Sequence, residues 1–143
     1  MLTVPIAILL LMSSRQTLSQ DKGPDKVKSS HVIYGKVVGF EVGDFEHVII
    51  RGPGKHEDSY FIDNFLLDDF MALYAKKQGR FTIQSVDTYI EQAGGRQLVD
   101  RVSDAKIGKV SFASWSKGLR KHMSIDQIDT KYRPLVDKLT KQP

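Results

Sequence analysis

The sequence contains no cysteine, which excludes disulfides, cysteine nucleophiles, thiolate metal sites and lipid attachment through an N-terminal cysteine. Small secreted eukaryotic domains are usually rich in cysteine. If the chain is exported, the absence of cysteine therefore favours a bacterial protein whose fold depends on its apolar core.

Several enzyme motifs are also missing. The sequence has no G-x-S-x-G nucleophile turn, no G-x-x-x-x-G-K-[ST] phosphate loop and no H-E-x-x-H zinc motif. The run His56-Glu57-Asp58 gives three adjacent potential ligands, which seldom converge on one ion. A calcium-dependent nuclease needs clustered acids to hold the ion and flanking arginines to stabilise charge on the phosphate. The candidates here are Asp44, Glu46, Arg51 and Arg101, but the active-site motifs of such nucleases are absent. We expect a non-enzymatic protein with no catalytic residue, metal or cofactor.

No apolar run is long enough to cross a bilayer, which takes about 20 residues. The run from Leu2 to Met12 is typical of the apolar core of a secretory signal peptide, and Ser13 to Ser19 supply a small, polar cleavage region. We predict a signal peptide over residues 1–19, and hence a periplasmic or extracellular protein. In the alternative interpretation, the apolar run belongs to the fold.

The formal net charge of +4 is unevenly distributed along the chain. Residues 109–143 carry eight Lys and Arg against three Asp and Glu, whereas residues 21–108 carry twelve against fourteen. The high isoelectric point therefore describes the C-terminal segment, and it is weak evidence for nucleic-acid binding by the rest of the chain.

The pattern of apolar residues changes along the chain. Residues 20–30 are polar and read as a flexible lead-in. Strand-like segments follow at 31–42, 45–51 and 58–63, and a helix is predicted over 65–77, capped by Asn64 or Asp63 and with Asp68 and Asp69 at the positive end of its dipole. A Gly-Gly turn at 94–95 joins two further predicted strands, 80–90 and 97–107, in a hairpin.

The C-terminal segment, 109–143, is predicted to be a basic and partly helical extension. Ser124 and Gln127 have the spacing of a capping box, and Pro134 is expected to end that helix or to open a second turn. Phe112 and Trp115 are expected to pack on the domain that precedes them.

The element order β-β-β-α-β-β over residues 31–107 is similar to that of small exported bacterial OB-fold-like proteins, including those described as tRNA-anticodon-like. Gly35-Lys36-Val37-Val38 and the hairpin from Gly79-Arg80-Phe81-Thr82-Ile83 through Ala93-Gly94-Gly95 to Val102 carry this resemblance. It implies a mainly β fold, with a five-stranded OB-like barrel over residues 31–108 and a C-terminal helical extension.

The resemblance also implies a ligand surface on the second and third strands. Together with the adjacent turn, this surface gives the candidate ligand-binding residues Phe45, His47, Arg51, Lys55 and Tyr60. The densest part of the basic extension adds Lys117, Arg120 and Lys121.

The composition and the resemblance together favour an exported binding module that presents a barrel face to a protein or to an envelope glycan. Two alternatives remain open at this point, namely a single-stranded nucleic-acid-binding domain and a structural component of the cell envelope. Membrane contact, if any, is expected only through the basic extension.

Overall fold

The computed structural model describes residues 23–43 and 45–141. The predicted signal peptide, residues 1–19, lies outside this part of the chain. So do residue 44 and the first residues of the predicted lead-in, 20–22.

The described residues form seven strands and three α-helices, and the prediction of a mainly β fold is confirmed. Two single 3₁₀ turns, Pro53–Lys55 and Glu91–Ala93, connect neighbouring strands. The elements, in chain order, are β1 Lys26–Val42, β2 Glu46–Arg51, β3 Glu57–Phe61, α1 Phe65–Leu73, β4 Gln78–Ile90, β5 Gly95–Ile107, β6 Val110–Ser111, α2 Phe112–Arg120, α3 Ile125–Leu139 and β7 Thr140–Lys141.

The five long strands form a sheet whose pairings return to the first strand. β1 pairs with β4 through its first half and with β2 through its second half. β2 pairs with β3, and β4 pairs with β5 along nearly their whole length. The remaining link is one parallel pair, Phe61 of β3 with Arg101 of β5. The sheet therefore nearly closes on itself at this narrow contact.

Helix α1 covers the apolar interior of the sheet. The Asn64 side chain accepts a hydrogen bond from the Leu66 backbone N–H and caps the helix, as the sequence predicted. Leu67, Phe70 and Met71 are fully buried and belong to the same core cluster as Phe40, Phe81 and Ile83 from the strands. These large side chains account for much of the apolar area that stabilises the fold.

The C-terminal segment packs against the sheet and α1. Ser124 and Gln127 form the predicted capping box at the start of α3. Val136 of α3 is buried in the core cluster, and Phe112 and Trp115 of α2 pack against this cluster. Pro134 lies inside α3, which continues to Leu139, so the prediction that it ends the helix is wrong. Proline has a helical φ, but it removes one backbone donor and crowds the carbonyl four residues earlier, so the helix continues at a local cost.

Two predicted boundaries also differ from the structure. Residues 26–30, predicted as flexible lead-in, are the first five of β1, because they pair with the long β4 strand from Asp87 to Gln84. The helix predicted over 65–77 ends at Leu73, and Gly79 does not terminate it but lies buried in β4. A Cβ on Gly79 would meet Ile107 Cγ1 at 2.9 Å, so the close approach of β4 and β5 requires glycine there.

Candidate ligand-binding groove and basic helix

A groove opens between the turn after β1 and the distal half of the β4–β5 hairpin. Its deepest part is a cavity of about 150 Å³. The walls come from the start of β2, the end of β3, the hairpin and the residue before β1. Lining residues include Phe45, Phe61, Val86, Ile90, Val99 and the polar residues Asp25, Asp63, Thr88 and Arg101. The groove therefore places apolar and hydrogen-bonding side chains side by side.

Phe45 and Phe61 form the aromatic wall of the groove, and the ring of His47 packs against Phe61. The centroid of Phe61 lies 5.7 Å from that of Phe45 and 4.3 Å from that of His47, both in tilted orientations. His47 is the register partner of Phe61, so the β2–β3 pairing fixes this arrangement. His47 Nδ1 lies 3.0 Å from the Phe45 carbonyl oxygen. Two of the predicted binding residues, Phe45 and His47, are thus brought together beside Phe61.

Arg101 forms the polar wall. Its Nη1 donates to Asp63 Oδ2 at 2.8 Å and to Asp25 Oδ2 at 3.3 Å, and its Nη2 donates to Gln84 Oε1 at 3.2 Å. Thr88 Oγ1 donates to the other oxygen of Asp25 at 2.5 Å. The Arg101 side chain is 20% exposed. Its position is therefore fixed by partners from three different parts of the chain.

The groove continues outward as a shallow depression of about 400 Å³. This part shares Phe45, Phe61, Ile90 and Val99 with the cavity and adds residues of the hairpin tip. One of them, Leu98, is 67% exposed. A ligand longer than the cavity could therefore follow the hairpin over a surface that combines apolar side chains with the amides of Gln92 and Gln97.

Three other predicted binding residues, Arg51, Lys55 and Tyr60, lie around the turn that contains Gly52 to Lys55. Arg51 and Lys55 line a depression of about 380 Å³ with Gln78. Arg51 donates through Nε and Nη2 to Glu57 Oε2 at 2.9 and 2.6 Å, and these bonds lower the pKa of Glu57.

Tyr60 points to the face of β3 opposite Phe61. It packs against the core cluster and lines a separate depression of about 310 Å³ beside Tyr34 and His56. Burial, assisted by Asp58 and Asp100, raises its pKa.

Of the last three predicted residues, Lys117 and Arg120 lie on helix α2, and Lys121 caps its C-terminal end. With Ala113 and Ser116 they line an open depression of about 480 Å³. The eight predicted residues therefore do not share one site. Phe45 lines the groove and His47 packs against Phe61 beside it. Arg51 and Lys55 line a second depression, Tyr60 a third, and Lys117, Arg120 and Lys121 a fourth.

A buried acidic cluster joins α1, α3 and the start of β2. Asp68 and Asp69, which the sequence placed at the positive end of the helix dipole, are only 1% and 0% exposed. Burial first, and then the neighbouring Glu46 carboxyl, raises the pKa of Asp68 to about 9. Burial and the Asp129 carboxyl raise the pKa of Asp69 to about 8. Both side chains are therefore protonated near neutral pH.

Arg133 of α3 is the cation of this cluster. It contacts Glu46 at 2.9 Å, and Asp68 and Asp137 at 3.6 Å each. The cluster is closed to ligands because its central carboxyls are buried, so it supports the packing of α3 rather than chemistry on a substrate.

The sequence reasoning missed the groove residues Asp25, Asp63 and Arg101 as a set. Asp25 and Arg101 are 76 residues apart and meet only because β3 and β5 join beside the start of β1. The sequence predicted only that residues 97–107 form a strand. This prediction placed Arg101 on a strand but did not show that Asp25 and Asp63 lie beside it.

The described residues contain neither a metal-binding cluster nor a membrane-spanning helix. Within residues 23–43 and 45–141, no group of three or more His, Cys, Asp or Glu side chains is arranged to hold a metal ion. In the same part of the chain, no helix combines the length and the apolar character needed to cross a membrane.

Comparison of the chain with protein families, with curated proteins and with solved structures found no match.

Proposed function

We propose that this chain is an exported, non-enzymatic binding module built on an OB-like barrel, and that the groove lined by Phe45, Phe61 and Arg101 holds its ligand. The barrel assignment is supported by the circular pairing of β1, β2, β3, β5 and β4, with α1 between β3 and β4. OB-folds are partly open five-stranded barrels, and their ligands contact the loops after the first and fourth strands.

The position and chemistry of the groove carry this proposal. Phe45 follows the turn after β1 and Ile90 immediately precedes the turn after β4, and both line the same cavity. The equivalent loops flank the ligand in OB-folds. The combination of a mainly apolar wall with a few fixed polar groups is typical of binding sites.

An envelope glycan fits this groove best. Sugar rings offer apolar C–H faces to aromatic side chains, and their hydroxyls can donate to Asp25 and Asp63 or accept from Arg101. A single-stranded nucleic acid fits less well, because two carboxylates stand at the rim against one guanidinium that they already neutralise.

The direct test is co-sedimentation of the purified chain with insoluble peptidoglycan. We expect binding by the native chain and a reduction of about tenfold, equivalent to about 1.4 kcal/mol, for Phe61→Ala. Tyr34→Ala is the matched control, because Tyr34 is an aromatic residue with 56% exposure that does not line the groove. Because hydroxyl contacts carry the binding, raising the salt concentration should have little effect.

A second measurement distinguishes a glycan from a protein partner. A photo-reactive amino acid at position 45 would cross-link a protein seated in the groove in living cells. If the native chain does not sediment with peptidoglycan and the position-45 variant gives a discrete cross-linked protein, then the partner is a protein. If neither occurs, or if F61A binds as well as the native chain, the groove is not the binding site.

A further inference from the structure

Helix α2 presents one face that is wholly basic or small. Ala113, Ser116, Lys117, Arg120 and Lys121 recur at intervals of three, one, three and one residues, which places them along one side of an α-helix. These residues together line the open depression of about 480 Å³. We refer to the five residues as the basic face.

The cations of the basic face have no carboxylate partner in the described part of the chain. Elsewhere in that part, Arg51, Arg96, Arg101 and Arg133 each form an ion pair with Asp or Glu. None of the ion pairs among the described residues includes Lys117, Arg120 or Lys121. Their positive charge is therefore available to an anionic partner.

The basic face is not what holds α2 in place. The opposite side of the helix does this, since the rings of Phe112 and Trp115 lie 5.8 and 5.4 Å from that of Phe70. Three like charges at intervals of three and four residues repel one another, whereas the negative end of the helix dipole attracts them. These two effects oppose each other, so the packing of α2 does not explain why three cations stand together.

We propose that the basic face docks the protein on an anionic lipid surface. Phosphate headgroups complement ammonium and guanidinium groups, and a shallow, open depression on a surface helix suits a planar partner. Ile125, which begins α3 four residues after Lys121, is an apolar side chain with 48% exposure.

The aromatic residues argue against single-stranded nucleic acid at this surface. Binding of unpaired bases relies on exposed rings on which the bases stack. The two rings of α2, Phe112 and Trp115, pack against Phe70, and Trp115 also packs edge-on against Tyr132. No aromatic residue lines the depression of the basic face.

The experiment is co-sedimentation of the purified native chain with lipid vesicles. The probes are phosphatidylcholine vesicles with and without about 30 mol% phosphatidylglycerol. We expect binding to the anionic vesicles alone, and we expect it to fall steeply as the salt concentration rises from about 0.05 M to about 0.5 M. The triple variant K117A/R120A/K121A should lose roughly 100-fold in partition coefficient, because each cation near the surface contributes separately.

The control is K28A/K106A/K138A, which removes the same charge from three exposed positions outside the basic face. It should keep most of the binding, whereas equal loss in both triple variants would show that net charge alone matters. The variant K117R/K121R keeps the charge and should bind as the native chain does. If the alanine variant does not fold, K117Q/K121Q removes two charges with a smaller change in side-chain length and should still bind less than the native chain.

Two further results would overturn the proposal. One is absence of binding to the anionic vesicles at low salt. The other is binding to heparin or to a single-stranded oligonucleotide through the same three cations without binding to vesicles, which would assign the basic face to a polyanionic chain. Because neither Phe45 nor Phe61 takes part, these outcomes leave the groove proposal untouched.

Discussion

Arg133 of α3 and Glu46 of β2 are separated by 87 residues, and Nη2 of the arginine donates to Oε1 of the glutamate at 2.9 Å. The contact ties the last long helix to the second strand and brings a positive charge to the buried Asp68. The C-terminal helix thus belongs to the same packed unit as the sheet.

Replacing Arg133 by methionine should destabilise the protein. The change R133M keeps much of the apolar stem but leaves Glu46 without its cation, so we expect a loss of about 2 kcal/mol in the free energy of unfolding. The matched variant R51M breaks an ion pair between side chains that are 48% and 34% exposed, and should cost less than about 1 kcal/mol. Urea denaturation at neutral pH compares the two, and equal losses would contradict the role given to Arg133.

The buried carboxyls make stability depend on pH. In the folded chain the pKa of Asp69 is raised from 3.8 to about 8, so the folded state holds a proton that the unfolded state releases above pH 4. This contribution to stability is complete below pH 3.8 and is lost as the pH rises towards 8, with a slope of up to about 1.4 kcal/mol per pH unit. Asp68 acts in the same direction up to about pH 9.

Asp69→Asn should remove the contribution of that residue, because the amide resembles a carboxyl group that cannot lose its proton. We expect the free energy of unfolding of D69N, relative to the native chain, to increase steadily between about pH 4 and pH 8 and then to level off. Urea midpoints at several pH values provide the measurement. E91Q, which removes an exposed carboxylate from the β4–β5 turn, is the control. A constant difference between D69N and the native chain at every pH would show that Asp69 is ionised in the fold.

The close crossing of β1 and β2 gives a prediction about Gly35. A Cβ at this position would lie 2.5 Å from the Arg51 carbonyl oxygen, and a backbone atom cannot move aside as a flexible side chain can. We expect G35A to cost about 2–3 kcal/mol in the free energy of unfolding. G43A is the control, since a Cβ there meets nothing within 4 Å, and its effect should stay within about 0.5 kcal/mol. Thermal or urea unfolding of both variants tests this prediction. If G35A does not change the free energy of unfolding, then β1 and β2 do not approach each other this closely.

Local sequence signals predicted those elements that depend on neighbouring residues. The caps at Asn64 and Ser124 follow from hydrogen bonds to residues two or three positions away. The β4–β5 hairpin follows from strand-forming residues on both sides of the Gly-Gly turn. The extra length of β1 did not show in the sequence, because residues 26–30 are polar and form a strand only through pairing with β4.

The candidate groove was partly predictable for the same reason. Phe45 and His47 stand near the start of β2, so assigning that strand placed them on a common surface. Asp25 and Arg101 are joined only by tertiary structure, and no local pattern links them. The burial of Asp68 was equally hidden, because acidic residues in the first turn of a helix ordinarily face solvent at its positive end.

The pair Phe61 and Arg101 is the one register contact between β3 and β5 in the described part of the chain, and it also forms two walls of the groove. Because R101M removes the bonds to Asp25 and Asp63, we expect it to cost about 1.5–2 kcal/mol and to loosen this junction. Hydrogen exchange should then accelerate at residues 59–62 and 99–102 more than along the paired parts of β1 and β4. R80M, which replaces an exposed arginine of β4, should leave exchange there unchanged. Uniform acceleration throughout the sheet would mean instead that Arg101 stabilises the whole fold and that the β3–β5 junction has no separate weakness.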